Sequence, residues 1–447
     1  MKTSIKFINH ASVIISNNNT SVLSDPWYDG EAFHKGWNLL HETKNHDIEE
    51  FLNEITHIWV SHEHPDHFSI SFFKKFANHL KKNSIKIIFQ KTKDKRVFNF
   101  LISQGLEVKE LDFNKKYNLS ENFFVSCIKD GFYDSGLLIE SHGEKILNLN
   151  DCEITTSKRI KEVMSICGEV DVLLTQFSFA AWKGGKKNKI WRNEAAKEKL
   201  KTISLQIEIF KPKFVIPFAS FVYFSNEDNF YLNDAANRPD HIKKHLKEYA
   251  SKLVIMAPND ILGGINQSLN EDKALEFWHK KYDNIKSIKL NRYSKIDIKS
   301  LQISFNEYCE RIKKKNNIFL IKLIRILSPI SAFKPVVVEI TDLGQNIKFD
   351  YVNKTFFETV EPAMISMKSE SLNFIFKNSF GFDTLTVNAC FEEKKKGSFV
   401  LATKSLAIEN LNNLGINIEM KTMINFSIIK LFLTRLYRVA KKLNIKY

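Results

Sequence analysis

Six consecutive positions, His62-Glu63-His64-Pro65-Asp66-His67, constrain this chain more than any other stretch. They follow directly on Thr56-His57-Ile58-Trp59-Val60, an apolar, β-branched run that predicts a strand. In extended backbone, side chains two positions apart point the same way, so His62 and His64 can grip one cation together. Asp66 and His67 then face a second position. Imidazole and carboxylate are borderline and hard donors, a mixture suited to zinc or iron. Two ions sharing a water bring its pKa towards about 7 and supply hydroxide as a nucleophile, with Asp66 and His67 at the reacting centre.

A cluster at the end of a strand asks for a sheet behind it, and the flanking sequence offers one. Residues 5–8, 13–15 and 22–23 alternate as short strands, with Asn17-Asn18-Asn19 as a turn. Phe72, Phe73, Phe76 and Leu80 recur at helical spacing after the motif, and 85–89 reads as the next strand. A helix over 94–104 ends at Gly105. Strands are predicted at 123–128, 136–140 and 145–149, the last two joined through Ser141-His142-Gly143-Glu144. A helix over 155–166 leads to a buried strand at 170–174. Ala196, Leu200, Ile203, Ile207 and Phe210 form a helical stripe that Pro212 ends, and 214–216 and 253–256 are further strands.

The fold class is therefore α/β, with sheets layered between helices over residues 1–265. Residues 266–333 carry helical, charged patterns and read as a connector. Residues 334–447 read as a smaller α+β domain: strands at 336–340, 347–352 and 385–389, a helix around Leu372, Ile375 and Phe376, and a basic amphipathic helix over 426–447. That last helix combines an apolar face with Lys and Arg and no acid. It suits packing on its own domain or peripheral contact with an anionic membrane.

A chain of 447 residues with 43% apolar content is too long for one core and suggests two to three domains. The net charge of +15 favours acidic partners, although lysine is abundant throughout. No phosphate-binding loop or dinucleotide fingerprint is present, and nothing beyond charge points to nucleic acid, so a small-molecule substrate is expected. Five dispersed cysteines, no apolar run of about 18 residues and a start that runs straight into a strand predict a reduced, cytoplasmic protein.

The motif His62-x-His64-x-Asp66-His67 resembles the signature of the metallo-β-lactamase superfamily. Asn9-His10-Ala11-Ser12 and Ser24-Asp25-Pro26-Trp27 resemble the opening strands of its phosphodiesterase- and lactonase-like branch. The likeness is nearest to the catalytic part of CMP-N-acetylneuraminate hydroxylases, through Gly36-Trp37, residues 134–152 and Pro217-Phe218-Ala219-Ser220-Phe221. It implies an αββα sandwich and a metal-dependent enzyme. It also implies that Asp151, in Asn148-Leu149-Asn150-Asp151, lies between two metals, with His10 and Asp25 as orienting partners. Two histidines of the family pattern are not plainly present. Asp130 or Asp134 stands near the first place and Asn226 near the second, which favours a harder ion, a single-metal site or a degenerate one. His142, in a hairpin tip, and His241, at a helix start, read as solvated residues rather than replacements.

The loop Trp182-Lys183-Gly184-Gly185-Lys186-Lys187 with Arg192 offers aromatic and basic groups for a phosphorylated sugar or nucleotide. Tyr223, Asn229, Tyr231 and Arg238 are candidates to line the same cleft. The resulting expectation is a zinc-dependent hydrolase, with one or two ions, acting on a phosphoester, phosphodiester or lactone. The alternatives are an iron-dependent hydroxylase of a nucleotide sugar and a catalytically silent binding protein. No Cys-x-His…Cys-x-x-His set for a Rieske iron–sulfur cluster occurs, so an oxygenase would take electrons from a separate partner.

Overall fold

The computed structural model describes residues 2–327 and 331–420; the basic helix expected at 426–447 lies outside them. Two sheets face each other. The first has seven strands in the order Ile261–Leu262, Ser4–Asn9, Ser12–Ser16, Ser21–Ser24, His57–Val60, Lys86–Gln90 and Val108–Leu111. The last four run parallel to one another. The second has six, from Phe214–Phe218 through Val172–Gln176, Glu144–Asn148, Ser135–Ser141 and Phe123–Lys129 to Lys116–Ser120.

The period-two alternation of the first sheet divides its side chains between two cores. Phe7, Val13, Ile15, Trp59 and Ile88 point inward against Val125, Leu137 and Leu147 of the second sheet. Their neighbours Ile8, Ile14, Ile58, Val60, Ile87 and Phe89 point outward against Phe72, Phe73, Phe76 and Leu80 of the helix Ile70–Lys82. That helix starts cleanly because Ser69 Oγ accepts from Phe72 N. On the far side, the helices Ser157–Cys167 and Lys189–Phe210 cover the second sheet through Ile160, Val163, Leu200, Ile203 and Ile207. The result is the expected helix–sheet–sheet–helix sandwich.

Three local expectations are corrected. Residues 253–256 are buried, but only a single bridge, Val215 to Leu253, joins them to a sheet. The expected strand at 385–389 is instead the end of the helix Gly381–Asn388 with its cap Ala389, because Phe382, Leu385 and Ala389 recur at helical spacing and are all buried. The strand Val172–Gln176 begins two residues later than the sequence pattern suggested.

Beyond the sandwich, five strands pair in the order Thr355–Glu358, Gln345–Asp350, Val336–Ile340, Ile365–Met367 and Glu392–Glu393. The helix Ile298–Lys315 packs Leu301, Phe305, Tyr308 and Ile312 against them. This core does not stop at a domain edge. It runs on into Trp27, Phe33, Trp37, Phe179 and Trp182 of the first 265 residues. No described helix is long and apolar enough to cross a membrane. All five cysteines are buried and free.

Candidate metal centre

The topology delivers the site. Ser21–Ser24 and His57–Val60 are parallel neighbours, so their C-terminal ends set Asp25 beside Ser61 and His62. The second sheet contributes at the same rim: Asp134 precedes Ser135–Ser141, and Asn150 and Asp151 follow Glu144–Asn148. Ser135 Oγ and Gln90 Nε2 both donate to the Ser61 carbonyl, at 2.6 and 2.7 Å, locking the two sheets where the motif begins. His10 comes from the turn between the first two strands, at φ +33°, and Asp25 stands at φ +39°. Non-glycine residues in that region are held there by their surroundings and cluster at functional sites.

Seven side chains converge. Their donor atoms form three overlapping sets, each with atoms within 4.8 Å of one another: His62, His64 and Asp134; His62, His67 and Asp151; His10, Asp66 and His67. His62 Nε2 is 2.9 Å from His64 Nδ1 and 3.6 Å from Asp134 Oδ1. His67 Nε2 is 3.2 Å from Asp66 Oδ2 and 3.4 Å from Asp151 Oδ2, and His10 Nε2 is 3.5 Å from Asp66 Oδ2. Ligand atoms bound to one ion at about 2.1 Å stand roughly 3–4 Å apart, so these spacings fit cation positions. Polar satisfaction gives an independent test. Among the described residues, His10 Nδ1 and Nε2, Asp66 Oδ1 and His67 Nε2 are buried without a hydrogen-bond partner. Such atoms cost about 1–3 kcal/mol each when left unmatched, and a cation is the partner that this donor set fits.

Behind the donors lies an orienting layer. Asp25 accepts from Ser61 N at 2.8 Å, Ser61 Oγ at 2.9 Å and His67 Nδ1 at 3.1 Å, and also from Asn150 Nδ2. It thereby turns the other nitrogen of His67 towards the donor cluster. Ser61 Oγ lies 2.9 Å from His62 Nδ1 and does the same for that ring. Gln176 Nε2 donates to Asp151 Oδ1 at 2.8 Å.

The electrostatics follow from burial. Burial pushes the Asp134 carboxyl up to about 7, and Asp151, Asp130 and Glu153 add to it against His64. Burial would also raise Asp66, but His67 and His10 hold it well below the usual carboxylate range. His62 is driven well below the ordinary imidazole value by burial and by its neighbours His67 and His64, which leaves its ring neutral and able to donate a lone pair.

Several sequence expectations change here. Asp130 is not in any donor set; its carboxylate is engaged by Arg159 Nε at 3.2 Å, and Asp134, across the tight turn, takes the place near the first missing histidine. Asn226 is also outside every set. It is fully buried and its amide donates to the Lys35 carbonyl at 3.3 Å. His10, expected only as an orienting residue, instead joins Asp66 and His67 in a donor set, reaching the centre from the N-terminal end of the chain. The Asn-His-Ala-Ser turn was its only signal. The basic loop does not reach the centre. Trp182 is buried against Phe391 and Phe399, Arg192 is buried and paired with Asp234, and Tyr223 is buried in a strand pairing with Trp37–Leu39. Lys183 stands next to Trp182 on that same loop, and none of the four lines the cavity beside His64.

The family model for the beta-lactamase superfamily domain matches residues 4–218. This part of the chain is a beta-lactamase superfamily domain. Its sandwich is the metallo-β-lactamase fold, and the motif lies at the sandwich rim among side chains that could hold a metal ion. Cytidine monophosphate-N-acetylneuraminic acid hydroxylase of Danio rerio is 25% identical over 290 residues, covering 60% of this chain and 47% of that protein. The Xenopus laevis protein of the same name is 27% identical over 252 residues, covering 53% and 41%. An inactive human form is 26% identical over 262 residues, covering 55% and 50%. The chain thus spans about half the length of the curated relatives it matches. Among solved structures, a possible metal-dependent hydrolase from Veillonella parvula superposes with a TM-score of 0.46 at 14% identity, covering 59% of this chain and 99% of that one. CmlA, a diiron beta-hydroxylase from Streptomyces venezuelae, gives 0.41 at 13%, covering 58% and 54%.

Proposed function

We propose that this chain is an iron-dependent hydroxylase of a small phosphorylated or nucleotide-linked molecule. One ion would lie among His62, His64 and Asp134, a second among His10, Asp66 and His67, and Asp151 would stand against both through its set with His62 and His67. The observation that carries the reading is the composition of the sets: each of the three is two histidines and one carboxylate. That is the donor pattern of non-haem iron oxygenases, and catalytic zinc sites use it too, so the names of the relatives weigh the choice towards iron. The names of the sequence relatives support the same reaction class. Bound iron supplies oxygen activation. The protein supplies a dry pocket: the side chains of His10, His62, Asp66 and His67 are nearly inaccessible to solvent. Reducing equivalents come from a separate donor.

A cavity of about 700 Å³ opens beside His64. Trp27, Phe33 and Phe374 give it aromatic walls, and Glu31 and Asp383 give it carboxylates. Such a lining suits a ring that carries hydroxyls, because aromatic faces meet C–H bonds and carboxylates accept O–H. A second cavity of about 590 Å³ shares Glu63 with the first and is lined by Lys91, Lys93 and Lys129 with Phe113 and Phe132. This is the better place for a phosphate.

The hydrolytic reading remains the second one. It is favoured by two adjacent cation positions able to share one water. The motive for a catalytically silent protein was two absent histidines; that Asp134 and His10 each join two motif residues in a donor set supports an intact centre. Metal identity decides. Chain purified without oxygen should carry iron and consume dioxygen when given a chemical reductant and substrate. Stoichiometric zinc and reductant-independent hydrolysis would transfer the assignment to the second reading.

A further inference from the structure

Three imidazoles of the motif need a fixed ring orientation, and two obtain it from within the sandwich. His62 is set by Ser61, and His67 by Asp25. His64 differs in two respects. Its side chain is 26% accessible, against 1% for His62 and none for His67, so packing alone does not fix it. It is also turned the other way round: Nδ1 points at His62 Nε2, and Nε2 faces outward. The group facing that outer nitrogen is Asp383, whose Oδ2 lies 3.7 Å away.

Asp383 belongs to the C-terminal half, on the helix Gly381–Asn388, and its other oxygen accepts from Asn410 Nδ2 at 3.1 Å. The helix is held tightly. A side chain at Gly381 would meet Ile375 Cα at 2.5 Å and the Phe374 carbonyl at 2.7 Å, so only glycine permits this approach to the helix Ser369–Lys377. At the other end, Asn388 Nδ2 donates to the Phe33 carbonyl at 3.1 Å, and Asn229 Nδ2 donates to the Asn388 carbonyl at 2.7 Å. Phe33 in turn packs edge-on against the His64 ring, with centroids 5.6 Å apart. Position, backbone and carboxylate are each fixed by separate contacts.

We propose that Asp383 is a positioning residue of the metal centre, holding His64 with Nδ1 aimed into the donor set, so that the C-terminal half completes a site whose donors all lie in the first 151 residues. At 3.7 Å the pair stands at ion-pair distance; drawn a few tenths of an ångström closer on metal binding it would form a carboxylate–histidine–metal relay, in which the outer partner fixes the tautomer and raises the basicity of the donor nitrogen. The proposal rests on the two-ion reading above.

The test uses the full chain, with Co(II) and Fe(II) binding measured by chelator competition and the visible absorption of the Co(II) form recorded. Asp383→Ala should weaken one of two ions by about 10–100-fold, leave the other within about twofold and alter the Co(II) spectrum. Asp383→Asn, which keeps an acceptor oxygen and guards against misfolding, should fall between. The unfolding midpoint of the metal-free chain should not move. Unchanged affinities and spectrum in Asp383→Ala, with two ions still bound by the unsubstituted chain, would overturn the role of Asp383 alone. Equal loss of both ions with a lowered midpoint would also overturn it, by showing a structural role. An unsubstituted chain that binds no ion would overturn both this proposal and the reading beneath it.

Discussion

His10 and Asp25 show how much of this site is decided residue by residue. Both adopt positive φ without being glycine, and both face the same histidine, His67. Asp25 touches Ser61, His67 and Asn150 at once, so its removal should loosen two donors together. Asp25→Ala should lower metal affinity by about 10–100-fold while the far-ultraviolet dichroism stays native, as chelator titration will show. At this scale the sequence was informative where the donors are consecutive. His62, His64, Asp66 and His67 announce themselves by spacing, because two-residue periodicity in extended chain is a local rule. His10 and Asp134 do not, because each reaches the cluster through sheet pairing that no local pattern encodes. Asp130 was the more visible acid, at the end of a strand, yet Arg159 neutralises it.

The helix Ile70–Lys82 follows the motif within three residues and anchors it through Phe72, Phe73 and Phe76. Phe73 is fully buried, and Phe73→Ala should cost about 3–5 kcal/mol in denaturant unfolding, with metal affinity falling only as far as the fold does. In the C-terminal half, Arg325 donates to both oxygens of Asp350, at 2.8 and 2.7 Å. Burial would raise the Asp350 carboxyl, but this pairing holds it below its usual value. A carboxyl depressed in the folded state stabilises the protein above its unfolded pKa of about 4, and that stability is lost as pH falls through the folded value. Acid unfolding of the unsubstituted chain should therefore be steeper below about pH 4 than that of Asp350→Asn, followed by tryptophan fluorescence. Most sandwich elements were legible because alternation and the helical stripe are strong signals. The helix Gly381–Asn388 was misread as a strand because Leu385, Val387 and Ala389 also alternate. Tertiary packing of Phe382 and Leu385 decided between the two periods.

At the scale of the whole molecule, the halves share one aromatic core and one cavity wall. Trp27, Phe33, Trp37 and Trp182 are covered by residues from beyond position 300, and Phe374 and Asp383 border the cavity at His64. A chain cut after residue 265 should expose that surface and aggregate, visible as loss of the monodisperse peak in size-exclusion chromatography. Tryptophan and lysine together suit sugar phosphates, which is why the loop around Trp182 resembles a substrate loop in sequence; in space it is a seam between the halves. The central claim is that seven converging side chains, four of them buried, form a two-cation centre. Metal content per chain, measured after anaerobic purification and compared with His62→Ala and His67→Ala, tests it most directly. Two ions per chain, reduced to one or none in each variant, is the predicted result. A well-folded chain with no bound metal, or with metal content that both variants leave unchanged, would contradict it.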